Sequence, residues 1–401
     1  MDIAVIGGGA AGFFAAFSCK THYPQYNVTI YEKSDKLLSK VKISGGGRCN
    51  ITNACFSNAQ LVKFYPRGEK QLKKAFEIFT TKDTIAWFEN REVKLKTEID
   101  NRMFPVSDNS QTIIDCFFSE VKKSGIIIKK NHALISIEKI EDEFNLIFAN
   151  DIVKVNKIIV ASGGSSKLSG FNWLEKLGHT IESPVPSLFT FNMPNESITE
   201  LMGVSVNKTI VKIQGSKLKQ EGSLLVTHWG MSGPAIIKLS ACGARVISDL
   251  NYNFNIQVNW IAEENEEKVR KQLSTEMVSF KKKKIGNYNP FQLPSRLWLY
   301  LIQKIKINPE YTWEVAGKNF TNKLINTLLN DVYQVRGKTT FKEEFVTCGG
   351  VSLQNISIET MQSKVCDGLY FAGEVLDIDG LTGGFNFQAA WTTGFIAGKL
   401  G

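Results

Sequence analysis

Three consecutive glycines near residue 45 are followed directly by side chains that could do chemistry. The stretch Ser44–Asn50 reads Ser-Gly-Gly-Gly-Arg-Cys-Asn. Consecutive glycines let the backbone turn tightly and approach a ligand closely, because no Cβ stands in the way. Arg48, Cys49 and Asn50 then add a cation, a thiol and an amide. Such a loop is suited to lie against a flat, polar and partly anionic molecule.

A second glycine-rich turn stands near the N-terminus, between an apolar run and a helical pattern. The run Ile3–Ile6 is typical of a buried strand, and Gly7–Gly12 fits G-x-G-x-x-G. A second strand, Val28–Tyr31, ends in Glu32, 20 residues after Gly12. In such a unit the glycine turn and the helix N-terminus bind pyrophosphate, and the acid binds a ribose. Together with the loop at 44–50, this pattern indicates a flavin dinucleotide.

Composition narrows the class of protein. No stretch approaches the roughly 20 consecutive apolar residues of a membrane span, and the strand at Ile3 leaves no room for a signal peptide. The seven cysteines form no C-x-x-C pair and lie in no Cys/His cluster. We therefore expect a cytoplasmic protein with reduced thiols and no metal site.

The positive charge is concentrated in the middle of the chain. The 401 residues carry 48 Lys+Arg against 39 Asp+Glu, a formal net charge of +9. Residues 201–344 hold 21 basic and 12 acidic side chains, which accounts for the whole excess. A localised positive field can steer an anionic partner such as nucleic acid. A solvated, lysine-rich surface is the other interpretation, since charge adds affinity without specificity, and both stay open.

The pattern of predicted strands and helices changes twice along the chain. In residues 1–189, short apolar strands alternate with amphipathic helices, and the same pattern resumes over 345–401. Pro184 marks the first boundary, and residues 190–344 combine alternating β-like segments with charged helices. We predict a discontinuous Rossmann-type α/β domain over 1–189 and 345–401. The insertion over 190–344 is predicted to be basic, with mixed β and helical structure.

Apolar periodicity predicts several individual helices and one hairpin. The hairpin pairs Phe144–Phe148 with Ile152–Val155. The predicted helices include Lys70–Thr80, Lys82–Asn90, Asn109–Lys123, Glu263–Lys284, Pro294–Ile305, Asn322–Asp331 and Ala389–Leu400.

Seven motifs resemble those of one flavoprotein family. In order they are Gly7–Gly12, Ser44–Asn53, Arg102–Ser107, Thr227–Pro234, Cys348–Val351, Thr360–Lys364 and Gly373–Gln388. Over nearly its whole length the sequence closely resembles the BaiN/YhiN-like family of bacterial FAD-dependent oxidoreductases. The sequence departs from the family twice, with Lys167–Asn172 in place of a glycine-rich stretch and Gln362 in place of a glutamate. The first departure lies near the expected substrate side and weakens any transfer of substrate identity.

The resemblance implies a glutathione-reductase-like FAD domain interrupted by an insertion with β-barrel and helical parts. It implies that Ala133 and Leu134 contact adenine, and that Glu374 lies near the second phosphate or the ribityl chain. A helix start at 384–387 would stabilise negative charge on the reduced flavin; a glycine turn that serves only helix packing is the alternative. The predicted cofactor-binding residues are Gly7, Gly9, Ala11, Gly12, Glu32, Lys33, Gly46, Gly47, Arg48, Cys49, Asn50, Ala133, Leu134, Ala161, Gly163, Gly373, Glu374, Gly384, Phe385, Asn386 and Phe387.

Arg48 and His228 are the candidates for a direct part in catalysis. Arg48 could pair with a flavin phosphate, with substrate, or with a carboxylate that bridges the domains. His228 lies in a Gly/Ser-rich loop of the insertion and could donate a proton after hydride transfer, or could be a hydrogen-bonded structural histidine. Cys49 has no cysteine within three residues, which favours a packed, inert thiol over a redox-active one.

We predict an FAD-dependent oxidoreductase whose reduced flavin delivers a hydride to an electron-poor C=C bond. The resemblance offers two substrates: a uridine of ribosomal RNA, giving dihydrouridine, or a small unsaturated enone or steroid-like metabolite. The basic insertion favours RNA, because an apolar ligand gains little from surplus positive charge. A non-catalytic, flavin-binding RNA-associated protein is the third hypothesis. Because the chain has one dinucleotide fingerprint, NAD(P)H is expected, if it is the electron donor, to bind transiently.

Overall fold

The computed structural model describes residues 1–339 and 346–401. The predicted boundary at 344/345 therefore lies outside the described residues. The described residues separate into two compact units. Unit 1 contains residues 1–187 and 346–401, and unit 2 contains residues 188–339.

The N-terminal part of unit 1 alternates short strands and helices. Its elements are β1 (Asp2–Ile6), α1 (Ala10–His22), β2 (Asn27–Tyr31), α2 (Ser39–Gly47), β3 (Thr52–Asn53), α3 (Asn58–Leu61), α4 (Glu69–Ala75), α5 (Thr81–Glu89), β4 (Leu95–Thr97), β5 (Arg102–Pro105), α6 (Gln111–Ser124), β6 (Ile127–Lys129), β7 (Leu134–Ile140), β8 (Glu143–Phe148), β9 (Ile152–Val155), β10 (Lys157–Val160), α7 (Asn172–Glu175) and β11 (Ile181–Ser187). Helix α2 is interrupted at Ser44, Gly45 and Gly46, whose φ/ψ angles are not helical.

Unit 2 follows without interruption, and the chain then returns to unit 1. The elements of unit 2 are β12 (Thr190–Asn192), β13 (Ser205–Ile213), β14 (Lys219–Thr227), β15 (Gly230–Ser232), α8 (Pro234–Cys242), α9 (Ala244–Asp249), β16 (Asn253–Asn259), α10 (Glu266–Ser279), α11 (Ser295–Lys304), α12 (Lys318–Asn330), β17 (Asp331–Arg336) and β18 (Lys338–Thr339). The C-terminal elements are β19 (Val346–Val351), β20 (Ile356–Ser357), β21 (Gln362–Ser363), β22 (Leu369–Phe371) and α13 (Phe385–Gly398).

The central sheet of unit 1 joins the two ends of the chain. Its strand order is β20-β21-β22-β10-β1-β2-β6, and the five strands from β22 to β6 are parallel. The buried run Ile3–Ile6 forms β1, whose Val5 lies opposite Ile30 on one side and Ile159 on the other. Strands buried on both faces read as continuous apolar runs, as the sequence of β1 predicted.

Helices α1 and α13 pack unusually closely on this sheet. A Cβ on Gly394 would lie 2.7 Å from the Ala11 oxygen, and one on Gly398 would lie 2.3 Å from the Ala15 oxygen. Glycines in α13 therefore allow its backbone to approach that of α1. The two helices enclose an aromatic cluster that includes Phe14 and Trp391, with ring centroids 5.2 Å apart.

Unit 2 contains a seven-stranded sheet with helices packed around it. The strand order is β17-β16-β13-β14-β15-β12-β18, with antiparallel neighbours. Within the described residues no pairing joins the end strands β17 and β18, so the barrel expected in the insertion is not confirmed. Trp260, Trp298 and Trp313 are buried in the core of this unit. In the part of the chain that the structure describes, no helix is both long and apolar enough to cross a membrane.

Candidate functional site

The glycine turn after β1 combines tight packing with one open position. Gly7 has φ +117, and a Cβ there would lie 2.3 Å from the Ala161 oxygen. A Cβ on Gly12 would lie 2.0 Å from the Gly7 oxygen. A Cβ on Gly9, by contrast, would meet nothing within 4 Å. Gly7 and Gly12 are therefore required by the fold, whereas Gly9 faces space that a ligand can enter.

The N-terminus of α1 opens onto that space. Gly9 is the N-cap residue and makes no side-chain capping hydrogen bond. The first-turn amides of a helix, here including that of Ala11, lack partners within the helix. They form the positive end of the helix dipole and are suited to bind phosphate oxygens.

Glu32 is fixed at the carboxyl end of β2. Its Oε2 accepts a hydrogen bond from the Gly8 amide over 2.8 Å, and its Oε1 accepts one from the Ser34 amide over 3.0 Å. The Ser34 hydroxyl also donates to Oε1 over 2.9 Å, so Oε2 is the oxygen with a further lone pair to accept from a ribose hydroxyl. The His132 amide donates to the Glu32 carbonyl over 2.9 Å, which brings Ala133 and Leu134 close to Glu32. Lys33, the next residue after Glu32, is exposed.

The loop after β10 flanks the same glycine turn. The Ala161 amide donates to the Ile6 carbonyl over 2.8 Å, continuing the parallel pairing by one residue. Gly163 then adopts φ +76, and a Cβ there would meet nothing within 4 Å. Ala161 and Gly163 thus lie beside Gly7, as expected for residues at the carboxyl edge of a doubly wound sheet.

The loop at 44–50 is a run of left-handed turns. Gly45, Gly46 and Gly47 have φ of +58, +70 and +85, and Cys49 has φ +61. A Cβ on Gly46 or Gly47 would meet nothing within 4 Å. The three glycines are therefore explained by backbone conformation, and two of them also border space that a ligand can enter.

Arg48 is held by neighbouring groups. Its Nη1 lies 2.6 Å from Glu98 Oε1 and 3.6 Å from Asp108 Oδ1, and its guanidinium lies 4.0 Å from the centroid of Phe104. The hydrogen bond to Glu98 raises the Arg48 pKa above its ordinary value. The sequence left open a carboxylate that bridges the domains, whereas Glu98 lies in the same unit as Arg48.

Cys49 is fully buried. Burial raises the pKa of its thiol to about 12, so the thiol stays protonated at neutral pH. Because the thiolate is the reactive form, this environment favours an inert thiol over a redox-active one.

Asn50 connects the glycine loop to α13. With its amide nitrogen facing the carbonyls of Met103 and Thr52, its oxygen accepts from the Gly384 amide over 2.8 Å. Gly384 has φ +91, and a Cβ there would lie 2.4 Å from the Thr52 oxygen. The N-terminal end of α13, with Phe385, Asn386 and Phe387, is therefore held directly against the residues that follow the glycine loop.

A second attachment of α13 was missed from the sequence. The Tyr65 hydroxyl donates to the Phe385 carbonyl over 2.7 Å, and the Phe64 and Phe385 rings stack with centroids 4.2 Å apart. Arg67 donates through Nε and Nη2 to the two oxygens of Asp379, which is fully buried. The partners in each of these contacts are more than 300 positions apart in sequence. The signal that the sequence offered was a charged residue next to a glycine, in Arg67-Gly68 and in Asp379-Gly380.

Gly373 and Glu374 lie beside the first turn of α1. Gly373 has φ +76, and a Cβ there would lie 2.7 Å from the Ala11 Cβ. The Glu374 carboxylate accepts from the Thr347 amide over 2.9 Å and lies 2.5 Å from Lys40 Nζ. The structure thus brings the glycine turn, Glu32, the loop after β10 and Gly373-Glu374 to one edge of the parallel sheet, and it holds the loop at 44–50 against the start of α13.

His228 belongs to unit 2. It is exposed on the two-residue turn between β14 and β15, where Thr227 pairs with Gly230. Its ring contacts that of Trp229 edge-on, with centroids 4.5 Å apart. An exposed histidine at a hairpin turn is accessible to a large substrate, and its catalytic role stays a prediction.

Comparison with known proteins identifies the family. Residues 1–400 match the family described as HI0933-like protein Rossmann domain. The chain belongs to this family. The resemblance recognised from the motifs is thereby confirmed, as is the Rossmann-type fold.

Relatives of known activity align with the chain over almost their full length. A ribosomal RNA dihydrouridine synthase from Escherichia coli is 27% identical over 99% of this chain and 97% of the relative, and one from Haemophilus influenzae is 28% identical over 98% and 96%. A 3-dehydro-bile acid delta(4,6)-reductase from Clostridium scindens is 22% identical over 99% and 98%. Among solved structures, a 3-ketosteroid delta1-dehydrogenase from Sterolibacterium denitrificans covers 99% of this chain and 98% of its own, with 11% identity and a TM-score of 0.50, a likeness of fold.

The residues at this edge of the sheet fit FAD. Gly9, Gly46 and Gly47 present open space where a Cβ would project, and Gly9 stands at the N-terminus of α1. Glu32 supplies an anchored acceptor where an adenosine ribose belongs in this fold. An anion site, a ribose acceptor and an open glycine loop within one unit are the features that a long dinucleotide requires.

Proposed function

We propose that this FAD-dependent oxidoreductase reduces a uridine of ribosomal RNA to dihydrouridine. The observation that carries the substrate is the charge: residues 201–344 contain the whole formal excess of +9. Phosphate neutralisation by Lys and Arg supplies much of the affinity for nucleic acid. The full-length similarity to two ribosomal RNA dihydrouridine synthases supports the same substrate.

Unit 1 would hold the cofactor through groups at one edge of its sheet. The first turn of α1, including Ala11, would bind the pyrophosphate, and Glu32 would bind the adenosine ribose. Ala133 and Leu134 would contact adenine, and Glu374 would lie near the phosphates or the ribityl chain. The loop at Gly46–Asn50 and the α13 residues Gly384, Phe385, Asn386 and Phe387 would border the flavin ring.

When bound and reduced, FAD supplies a hydride to an electron-poor carbon–carbon double bond. The residues of α13 would place the positive end of a helix dipole where negative charge on the cofactor is stabilised. Asn50 fixes that helix end through the Gly384 amide. His228 is our candidate for donating a proton to the substrate carbon, and NAD(P)H is our candidate electron donor, binding transiently.

The small-molecule alternative rests on the similarity to the bile acid reductase. An enone-sized substrate would need an apolar cavity, and it gives no reason for the concentration of charge in residues 201–344. The non-catalytic alternative is not favoured, because the relatives of known activity are enzymes that act on substrates of their own.

Mass mapping of ribosomal RNA from a strain lacking the gene tests the substrate. We expect one uridine-containing fragment to lose the mass of two hydrogens relative to the wild type, and complementation to restore it. As a direct control, the purified protein is photoreduced without oxygen and mixed with RNA from the deletion strain. Reoxidation of the flavin together with the mass gain supports the proposal without requiring a known electron donor.

Two outcomes contradict the RNA substrate. One is an unchanged dihydrouridine content in the deletion strain. The other is a reduced flavin that is reoxidised by a steroid-like enone and not by the RNA, which would instead support the small-molecule alternative.

A further inference from the structure

An ion pair lies beside the proposed pyrophosphate site. Lys40, on helix α2, places its Nζ 2.5 Å from Glu374 Oε2. The other oxygen of Glu374 accepts from the Thr347 amide over 2.9 Å, so the orientation of the carboxylate is fixed. The Lys40 side chain is 54% exposed and that of Glu374 only 20%. The lysine therefore reaches inward to a carboxylate that the fold has already placed.

The backbone contacts of the pair locate it at the first turn of α1. Gly373, next to Glu374, approaches Ala11 so closely that an added Cβ would lie 2.7 Å from the Ala11 Cβ. On the side of Lys40, the Leu38 amide donates to the Gly8 carbonyl over 2.9 Å. The segments that carry Lys40 and Glu374 thus contact the glycine turn and the helix that follows it.

A carboxylate at this position opposes the binding of a pyrophosphate. The diester pyrophosphate of FAD carries two negative charges, and a nearby carboxylate adds a third. Like charges at short range disfavour one another, and this effect is strong where water is partly excluded. The site therefore needs a cation that neutralises Glu374.

We infer that Lys40 is a binding residue for the FAD pyrophosphate, tethered by Glu374, whose negative charge it neutralises. A lysine is suited to this position, because its compact ammonium group on a flexible stem can contact a carboxylate and a phosphate oxygen together. Glu374 acts as the positioning residue for that ammonium. The inference rests on the FAD of the proposed function and is independent of its substrate.

An ordinary surface ion pair would behave differently. Such pairs contribute little to stability, and their removal has little effect on a ligand bound elsewhere. If Lys40 only formed a surface ion pair, its replacement would leave FAD binding unchanged. The two interpretations therefore differ in one measurable quantity. It is the effect of removing Lys40 on FAD release, compared between proteins with Glu and with Gln at position 374.

Release of FAD from the full-length, flavin-loaded protein tests the inference. Dissociation is followed by the rise in flavin fluorescence after dilution, at low and high NaCl. The variants are K40M, E374Q and the double variant K40M/E374Q, and K42M removes an exposed lysine from the same helix as the matched control. K40R retains the charge.

We expect K40M to release FAD about tenfold faster than K42M, because Glu374 then faces the pyrophosphate without a counter-charge. Removing Lys40 in the E374Q background should change the rate less, since only its contact with the phosphate is then lost and no carboxylate is left unneutralised. K40R should restore most of the retention. High salt should reduce the difference between K40M and K42M, because it screens the repulsion.

Equal FAD release from K40M and K42M would overturn the inference, and so would an effect of K40M that is the same with Glu374 and with Gln at position 374. Far-ultraviolet circular dichroism of each variant separates misfolding from specific loss of FAD. Failure of the RNA substrate would leave all these rates unchanged, whereas a wild-type chain that retains no FAD would remove the cofactor and this inference together.

Discussion

At the scale of single residues, the structure changes the interpretation of Arg48 the most. Its guanidinium lies against Glu98, Asp108 and the Phe104 ring, and its Nε donates to the Gly45 carbonyl over 3.3 Å. An arginine with these contacts ties the glycine loop to the hairpin formed by β4 and β5. This arrangement favours a positioning role for Arg48 over a direct role in catalysis.

Substitution of Arg48 and of its partner separates the two roles. We expect R48A to weaken FAD binding by roughly tenfold, since it removes the cation–π contact and the ion pair that hold the glycine loop in place. E98Q keeps the cation but weakens its anchor, and it should reproduce most of that loss. Titration of the stripped full-length protein with FAD measures both. Normal FAD binding in both variants, with turnover lost only in R48A, would instead assign Arg48 to catalysis.

Residue-scale reasoning from sequence identified the backbone features well, because glycines report local geometry. The left-handed angles at Gly45, Gly46 and Gly47 and the close packing at Gly12 are consequences of residue type. The Arg67–Asp379 pair could not be predicted in this way. Its members meet only after the C-terminal strand has joined the N-terminal sheet, and the glycines beside them do not indicate which two residues pair.

At the scale of elements, the start of α13 shows where local patterns fail. Apolar periodicity predicted the helix from Ala389, whereas the family resemblance implied a start at 384–387, and the helix begins at Phe385. The Gly383–Phe387 stretch reads as a loop, but Gly384 in a left-handed conformation and the contact with Asn50 start the helix four residues earlier. Helix α4 ends before its predicted last residue, Thr80. Thr80 instead caps the start of α5, where it forms a capping box with Asp83.

The requirement for glycine at position 384 is testable with a matched control. Gly384 and Gly178 have φ of +91 and +92, but a Cβ at Gly178 would meet nothing within 4 Å. G178A should cost about 1 kcal/mol of unfolding free energy, the cost of a left-handed residue. G384A should cost a further 1–3 kcal/mol or so, because its Cβ would overlap the Thr52 carbonyl. Urea unfolding of both variants measures the difference, and equal losses would contradict the packing argument.

A buried histidine next to the central sheet makes the stability of unit 1 depend on pH. His179 Nε2 lies 2.8 Å from the Ser363 hydroxyl oxygen, and Nδ1 lies 3.2 Å from the Leu174 carbonyl oxygen. Burial lowers the His179 pKa, so the folded state favours the neutral ring. Its contribution to stability is therefore fully present above the ordinary histidine pKa of about 6.5 and is lost as the pH falls towards the folded-state value.

Replacement of this histidine should make the unfolding free energy depend less on pH in the acid range. We expect the unfolding free energy of H179Q to fall less than that of the wild type between about pH 7 and pH 5, even though H179Q is less stable at neutral pH. Urea unfolding at a series of pH values measures this. Parallel profiles for the two proteins would show that His179 is not responsible.

At the scale of the whole molecule, the charge distribution is the property that sequence alone describes best. Net charge requires no fold, whereas the positions of individual cations do. The sequence predicted one helix over 263–284, but α10 ends at Ser279 and Lys281–Lys284 follow it as exposed residues. Lys284 pairs with Glu310, and Lys283 lies over the Phe280 and Tyr288 rings. Lys281 and Lys282 are therefore the members of this run that we select for a test.

Removal of these two charges should weaken RNA binding in a salt-dependent way. We expect K281Q/K282Q to lower the affinity for a ribosomal RNA fragment and to reduce the slope of log affinity against log salt by about 1 to 2. The control K70Q/K73Q removes two exposed lysines from α4 in unit 1. Filter binding at several NaCl concentrations measures both slopes. Equal reductions would point to general charge effects instead of a binding surface in unit 2.

The arrangement of the central sheet has a consequence for the synthesis of the protein. Strand β1 is made more than 350 residues before β22 and α13, which complete its sheet and cover α1. Unit 2 is continuous over 188–339 and can fold while translation proceeds. Unit 1 cannot complete its central sheet until β22 and α13 have left the ribosome, so its earlier strands present unpaired edges until then. We therefore expect FAD to bind only after α13 has been made, and a chain interrupted before α13 to be recognised by chaperones and proteases.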